Sequence, residues 1–318
     1  MAFNVTSLTN YTKTNEQMLL VKSFFEPKTA TYMQKLTGVK SAIQVPQLSD
    51  TLIWQSGGNC GLVNASGDTS ITARTLTVGR IKAEKSWCIA DLETKYTQLL
   101  LAPGSQYEAL PGGIDQAFME HIMGQQGEYV EKGIWRADTT RWQDYLNKYD
   151  GLVKIINAAS GTTQANAAAY GSTVTSITAA NVISVLQMVY AAIPTSLLDK
   201  DDLRIFVSSN VNRLYQTALI NANLYNFIPQ PDALGEFFLH GTNVKVVPVP
   251  GLNTIDSSDS EAIYALRTSN LFLGVDLENE EEELNVWYSQ DYDSVYMRMK
   301  FKLGTQIGIT QDVVKFTL

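Results

Sequence analysis

Between Val295 and Leu303 apolar and polar side chains alternate without a break. Val295, Met297, Met299, Phe301 and Leu303 fall on one side, and Tyr296, Arg298, Lys300 and Lys302 on the other. A period of two is the signature of a strand. Here it predicts one buried face and one cationic face turned to solvent, and no other stretch constrains the folding so tightly. Such a strand needs partners, and the sequence supplies them nearby. Leu284, Val286 and Tyr288 alternate with polar neighbours, and 262–266 and 271–275 are short apolar runs. Residues 262–318 therefore read as strands.

A second period lies upstream. Ile114, Phe118, Ile122, Val130 and Ile134 recur at four- and eight-residue steps, with Met119 and Met123 beside them. This predicts a helix over about 114–137. Pro111, Gly112 and Gly113 mark its entry, and Asp115 puts a negative charge in its first turn. At 1.5 Å per residue it would be about 36 Å long, more than a compact domain usually holds. Residues 150–250 alternate helix and strand. Thr178 reads as the cap of a helix to Ile193, with Ile183, Leu186, Val189, Tyr190 and Ile193 as its stripe and Pro194 as its end. A strand at 203–208 leads into a helix capped by Ser208, Ser209 or Asn210, and 244–249 is a strand closed by Pro250 and Gly251.

Residues 40–90 read as a two-stranded ribbon with a tip dense in Gly, Asn and Ser. On its return strand Ile71, Ala73, Thr75 and Thr77 face one way, and Thr72, Arg74, Leu76 and Val78 the other. Neither face is strongly apolar. An isolated hairpin is marginal in water, so the ribbon should project and find partners, with Trp54 as its anchor. Residues 1–38 are polar apart from a short apolar stretch around 18–25, and read as an arm that lies on something else.

The chain of 318 residues carries a formal charge of −8. Eleven acids against one base, Arg267, place −10 of it between Gly251 and Asp293, and the rest sums to +2. That local acidity predicts one acidic surface and argues against a general nucleic-acid binder, which needs clustered Lys and Arg. Two cysteines, Cys60 and Cys88, with no CxxC pair suit a reducing cytoplasm. No signal peptide and no bilayer-length apolar run is visible. The histidines, His121 and His240, lie far apart and form no HExxH. No P-loop, dinucleotide fingerprint or GxSxG elbow occurs, and Gly57, Gly58 and Gly61 read as a ribbon tip. The acidic run Glu278, Glu280, Glu281, Glu282, Glu283 lacks the spacing of a calcium loop. It reads as a solvated or subunit-facing edge, able to pair with the Arg298, Lys300, Lys302 stripe across strands or between subunits. No enzyme, metal or cofactor follows from these residues.

The order of elements resembles the tailed-bacteriophage major capsid protein family, the Hong Kong 97 fold. The stretches EYVEKGIWRADTT, ITAANVISVLQMVYAAIP, LRIFVSSNVNRLYQTAL and TNVKVVPVPGL look like the family, as does the run from IYALRTSNLF to KLGTQIGI. The resemblance covers about residues 40–318 and rests on no invariant motif. It implies an α+β fold with an N-terminal arm (1–38), an extended β-hairpin loop (39–92), a peripheral domain with a spine helix (93–150 and 262–318) and an α/β axial domain (151–261).

The resemblance also implies a shell subunit that assembles with itself as hexamers and pentamers around double-stranded DNA, held without sequence specificity. Portal, a separate scaffolding protein and decoration proteins are the further partners it suggests. Some members carry a charged scaffolding segment ahead of the arm; here the arm starts at Met1. The implied location is the virion, after assembly in the host cytoplasm, with no membrane. Candidate inter-subunit contacts are Trp54, Ile71, Arg74, Leu76, Glu280, Glu281, Glu282, Glu283, Arg298, Lys300 and Lys302. The acidic 251–293 segment is expected to face outward or to pair between subunits. Two other readings stand beside this one: an encapsulin-like nanocompartment shell, and an α/β hydrolase-like enzyme.

Overall fold

The structure is a computed structural model. It describes residues 27–50, 53–54, 69–88, 114–171, 173–223, 235–257, 259–276, 284–289, 291–292 and 294–318. In chain order the elements are β1 (Gln34–Leu36), β2 (Ala42–Asp50), β3 (Thr69–Thr77), β4 (Gly79–Cys88), α1 (Ile114–Arg136), α2 (Leu152–Ala158), β5 (Thr163–Gln164), α3 (Val182–Ala192), α4 (Thr195–Leu198), β6 (Leu203–Ser208), α5 (Ser209–Asn221), β7 (Phe237–Phe238), β8 (Lys245–Val249), β9 (Ala262–Arg267), β10 (Leu271–Val275), β11 (Leu284–Ser289), β12 (Ser294–Ile307) and β13 (Val314–Thr317).

The alternating run lies in β12, the organiser of a five-stranded sheet. β4 pairs along one edge of β12, β11 and β10 follow one another along the other, and β1 joins β10 in parallel. Val295, Met297, Met299, Phe301 and Leu303 are all buried, in one cluster with Ile122, Met123, Val130 and Ile134 of α1. The helical period thus covers the strand period. The side chains of Phe118 and Met119 lie outside the described residues.

The second sheet has the order β5-β13-β9-β6-β8-β7. Its central strands are buried on both faces, which is why they read as unbroken apolar runs. Ile205, Val207, Val246, Ile263 and Ala265 pack with α3 and α5; Phe206, Val247, Tyr264 and Leu266 join the cluster around α1. Trp135, at the end of α1, stacks on Tyr264 and Phe206. This sheet takes β9 and β13 from the segment expected to be peripheral. The expected division at 261/262 is therefore corrected: one hydrogen-bonded sheet crosses it.

Ser208 caps α5, its Oγ accepting from the Val211 N–H at 3.1 Å, as one of the three expected residues. Glu261 in turn accepts from Ser208 Oγ and Asn210 Nδ2. Thr178 does not cap α3. Asn181 precedes the helix, and its Oδ1 accepts from the Thr178 N–H.

The ribbon is shorter than 39–92. β2 and β3 form a separate two-stranded sheet from Ala42 opposite Thr77 to Asp50 opposite Thr69, while β4 belongs to the body. The base of the ribbon crosses the outer face of the five-stranded sheet where Gly274 and Gly304 sit opposite each other. A Cβ on Gly274 would meet Leu76, and one on Gly304 would meet the Thr77 carbonyl and Val78. Glycine is needed here for close approach rather than for its backbone angles. Val39, Val45, Leu76 and Val78 close the junction. Leu76, expected between subunits, is 0% exposed and packs within its own chain.

The segment 27–38 is not free of the body. β1 is hydrogen-bonded into the sheet, and Lys28 Nζ donates to the Pro248 carbonyl at 2.8 Å. For these residues the expected support is the chain's own body; 1–26 lie outside the described residues.

Replacing Gly304 with Val should lift the ribbon base from β12. The expected cost is about 1–3 kcal/mol, as for other overpacked sites. Urea denaturation would read this, together with faster proteolysis within 42–77; unchanged stability would contradict the crossing.

Candidate functional site

The ribbon and the residues just beyond it carry exposed apolar side chains. Ile43, Leu48, Ile53, Trp54 and Ile71 all face solvent, Trp54 at 91% and Ile71 at 74% exposure. Strand pairing sets Leu48 directly opposite Ile71, Ile53 and Trp54 lie beyond the last paired residue of β2, and Pro46 lies within β2, at whose position an N–H is absent. Arg74, on the opposite face from Ile71, is half-buried, and its Nε reaches Gln306 Oε1 at 3.4 Å, so it ties the ribbon to β12. The ribbon tip, 55–68, lies outside the described residues.

The charged candidates separate. Lys302 does not face solvent. It is 5% exposed, and its ammonium donates to Asp276 Oδ2 at 2.9 Å, Asp276 being fully buried. The ribbon base covers this end of the strand, which β12 alone could not reveal. Arg298 remains on the surface, donating to Glu84 on β4 at 2.7 Å and lying over the Trp287 ring. Trp287 stacks on Tyr296, with Tyr292 edge-on beside it. Cross-strand pairing therefore uses Glu84 and Asp276; Glu280, Glu281, Glu282 and Glu283 lie outside the described residues. Arg80, Lys82 and Glu84 alternate on β4 and carried a readable period of two that the ribbon reading absorbed.

The expectation of a single acidic surface is corrected. Asp259 is buried and meets Arg136 and Arg141. Arg136 also donates to the carbonyls of Leu252 and Ser260 at 2.7 and 3.0 Å. Glu261 serves the α5 cap. These acids are internal braces at separate places, because each lies beside a group that needs a partner.

Sequence reading also missed an anchor. Glu131 on α1 is buried and accepts from the Thr29 N–H at 2.9 Å and from Thr29 Oγ1 at 2.5 Å; Thr29 Oγ1 accepts from Trp135 Nε1 at 2.7 Å. Burial pushes the Glu131 carboxyl above the usual carboxylate range, against the pull of the Thr29 hydrogen bonds and the Lys28 charge. No spacing in the sequence joins positions about a hundred residues apart.

Among the described residues, no three His, Cys, Asp or Glu are grouped to hold a metal, and no helix is long and apolar enough to cross a membrane. His121 is exposed near Gln125, and the His240 N–H points to Tyr215 Oη.

No family model and no curated protein sequence matches the chain. Solved structures do. A chain of the satellite phage P4 procapsid, which includes the size determination protein, aligns with a TM-score of 0.58 at 10% identity, over 95% of this chain and 98% of that one. The capsid of Myoviridae phage XM1 gives 0.51 at 12% identity, over 90% and 88%. The capsid of an empty GTA particle gives 0.53 at 12%, over 93% and 90%. Overlap of this breadth matches the whole architecture. The chain has the Hong Kong 97 capsid fold. Its α+β class agrees with that fold, at an identity too low to carry individual residues across.

Two changes test the site. Replacing Lys302 with Met removes the ammonium from the buried Asp276 carboxylate and should cost about 3–5 kcal/mol, against almost nothing for a solvent-facing lysine; denaturant midpoints distinguish the two. For Glu131 the folded carboxyl holds its proton more tightly than the unfolded one. Its contribution is complete below the ordinary carboxylate pKa and is lost as pH rises through the raised value. Over the range above about pH 4, the ordinary carboxylate pKa, the wild type should therefore lose stability relative to Glu131→Gln as pH rises, by at most about 1.4 kcal/mol per pH unit. A constant difference across that range would refute the assignment.

Proposed function

We propose that this chain is the major capsid protein of a tailed phage, a structural subunit that assembles with itself into an icosahedral head enclosing double-stranded DNA. The observation that carries this reading is the ribbon: its base is locked to the body by Leu76 and the opposed glycines, while Trp54 and Ile71 are held out in water. A two-stranded sheet gains little stability alone. Apolar side chains on a projecting element mark an interaction surface, and a closed shell provides a neighbour for every copy. Contacts that are weak singly become sufficient when repeated.

Within this reading the five-stranded sheet with α1 is the peripheral domain, and the six-stranded sheet with α3 and α5 is the axial domain. Hexamers and pentamers are the capsomers, and the virion is the site of action after assembly in the host cytoplasm. Portal, a separate scaffolding protein and decoration proteins are proposed partners, and packaged DNA is contacted without sequence specificity. The compared structures are phage and GTA particles, which favours a phage head over a nanocompartment.

Trp54→Asp should leave the body folded, because the ring touches none of the buried clusters, and should reduce particle yield by about tenfold or more. Negative-stain microscopy and sedimentation read the yield, and circular dichroism the fold. Normal particles from this variant would remove Trp54 as an anchor.

A further inference from the structure

On the face of the five-stranded sheet turned away from α1, β4 and β12 bring like charges together. Lys300 lies directly opposite Lys82, and Lys302 directly opposite Arg80. Such pairs weaken a ladder unless an anion compensates them. Asp276 answers Lys302 from within, and Glu84 is shared between Lys82 and Arg298. No acid among the described residues pairs with Arg80 or Lys300. Both line a depression of about 330 Å³ formed by Arg80, Ile81, Lys82, Lys300, Phe301 and Lys302, with no acidic side chain in its wall.

We propose that this cationic face is a docking site for the acidic run Glu280–Glu283 of a second copy of this chain. The proposal deepens the shell reading and rests on it for the second copy. Charge complementarity carries it. Among the described residues Arg80, Lys82, Arg298 and Lys300 lie on this face with one acid, Glu84, whereas Glu278 and Glu280–Glu283 form the densest acidic stretch of the sequence. Placement agrees. Val275 pairs with Leu303 and Leu284 with Met299, so the segment bearing the run leaves and rejoins the edge of β12 at the level of the cationic cluster. Copies meeting about a symmetry axis at this level can offer a run to each face and a face to each run.

The test uses two charge-swapped chains: Arg80→Glu with Lys300→Glu, and Glu280, Glu281, Glu282 and Glu283 each changed to Lys. Each alone should fold, as circular dichroism reads, and should yield about tenfold fewer particles or less. Mixing the two separate chains should restore the yield, and raised salt should weaken assembly of the wild type. Rescue only when both sets occupy one chain would overturn the proposal, since the acids would then serve their own sheet. Undiminished yield from either set would overturn it while leaving the shell reading intact. Duplex DNA retarded in a gel by wild type but not by Arg80→Glu with Lys300→Glu, with assembly unaffected, would give the face to nucleic acid instead. If wild type forms no particles, the shell reading fails. Cross-linking then decides the docking, between a Lys300→Cys chain and a Glu281→Cys chain that both carry Cys60→Ser and Cys88→Ser. A mixed dimer supports the contact between copies, and its absence ends the proposal.

Discussion

The fold depends on covering one face of β12. Its fourteen residues pair with β4, β10 and β11, and through β10 with β1, so most of the ladder in the five-stranded sheet passes through this strand. The strand is apolar on one side only along its first ten residues. At about 25 cal/mol per Å² of apolar surface removed from water, burying Val295, Met297, Met299, Phe301 and Leu303 against α1 is what makes the sheet worth forming. α1 is long because it has two tasks. Its middle covers β12, and its end carries Trp135 into the second sheet. One helix therefore joins both layers of strands.

Charge acts as a brace within this frame. Lys302 with Asp276, and Arg136 and Arg141 with Asp259, lie in places where a lone charge would be costly. Such pairs add little net stability over well-packed apolar groups. What they do is penalise alternatives: a β12 shifted by one residue would turn its lysines into the core and separate each from its acid. Glu131 acts similarly on the segment 27–33, satisfying a backbone N–H, a hydroxyl and, through that hydroxyl, the Trp135 indole.

The ribbon divides along its length into a base packed on the body and an outer part whose apolar side chains meet water. Near the body Val45, Leu76 and Val78 are buried; beyond Val45 the same pattern of pairing continues, but Leu48 and Ile71 meet water. The fold is shared with phage capsids at about a tenth of residues identical. Packing of this kind asks for apolar volume at the right period and tolerates many side chains that supply it, whereas surfaces that recognise a neighbour need only match that neighbour.

Period was legible in the sequence, and contact across distance was not. Val295–Leu303 declared a strand, Ile114–Ile134 a helix, and 203–208 a strand followed by a Ser-capped helix, because burial on one face writes itself into spacing. The ribbon was legible as a pair of strands with Trp54 near its tip. Its length was not, because β4 continues the chain direction of β3 and only the β12 register shows that Gly79–Cys88 belongs to the body. Leu76 and Lys302 read as outward-facing because a single strand reveals which residues share a side, not what lies above that side. Leu76 packs where Gly274 admits it, and Lys302 finds Asp276. Thr29 beside Glu131, Gly274 opposite Gly304, and one sheet drawing strands from 163 and 314 are long-range facts. Local sequence fixes dihedral preference and amphipathic period; which faces meet is settled only when the whole chain closes on itself.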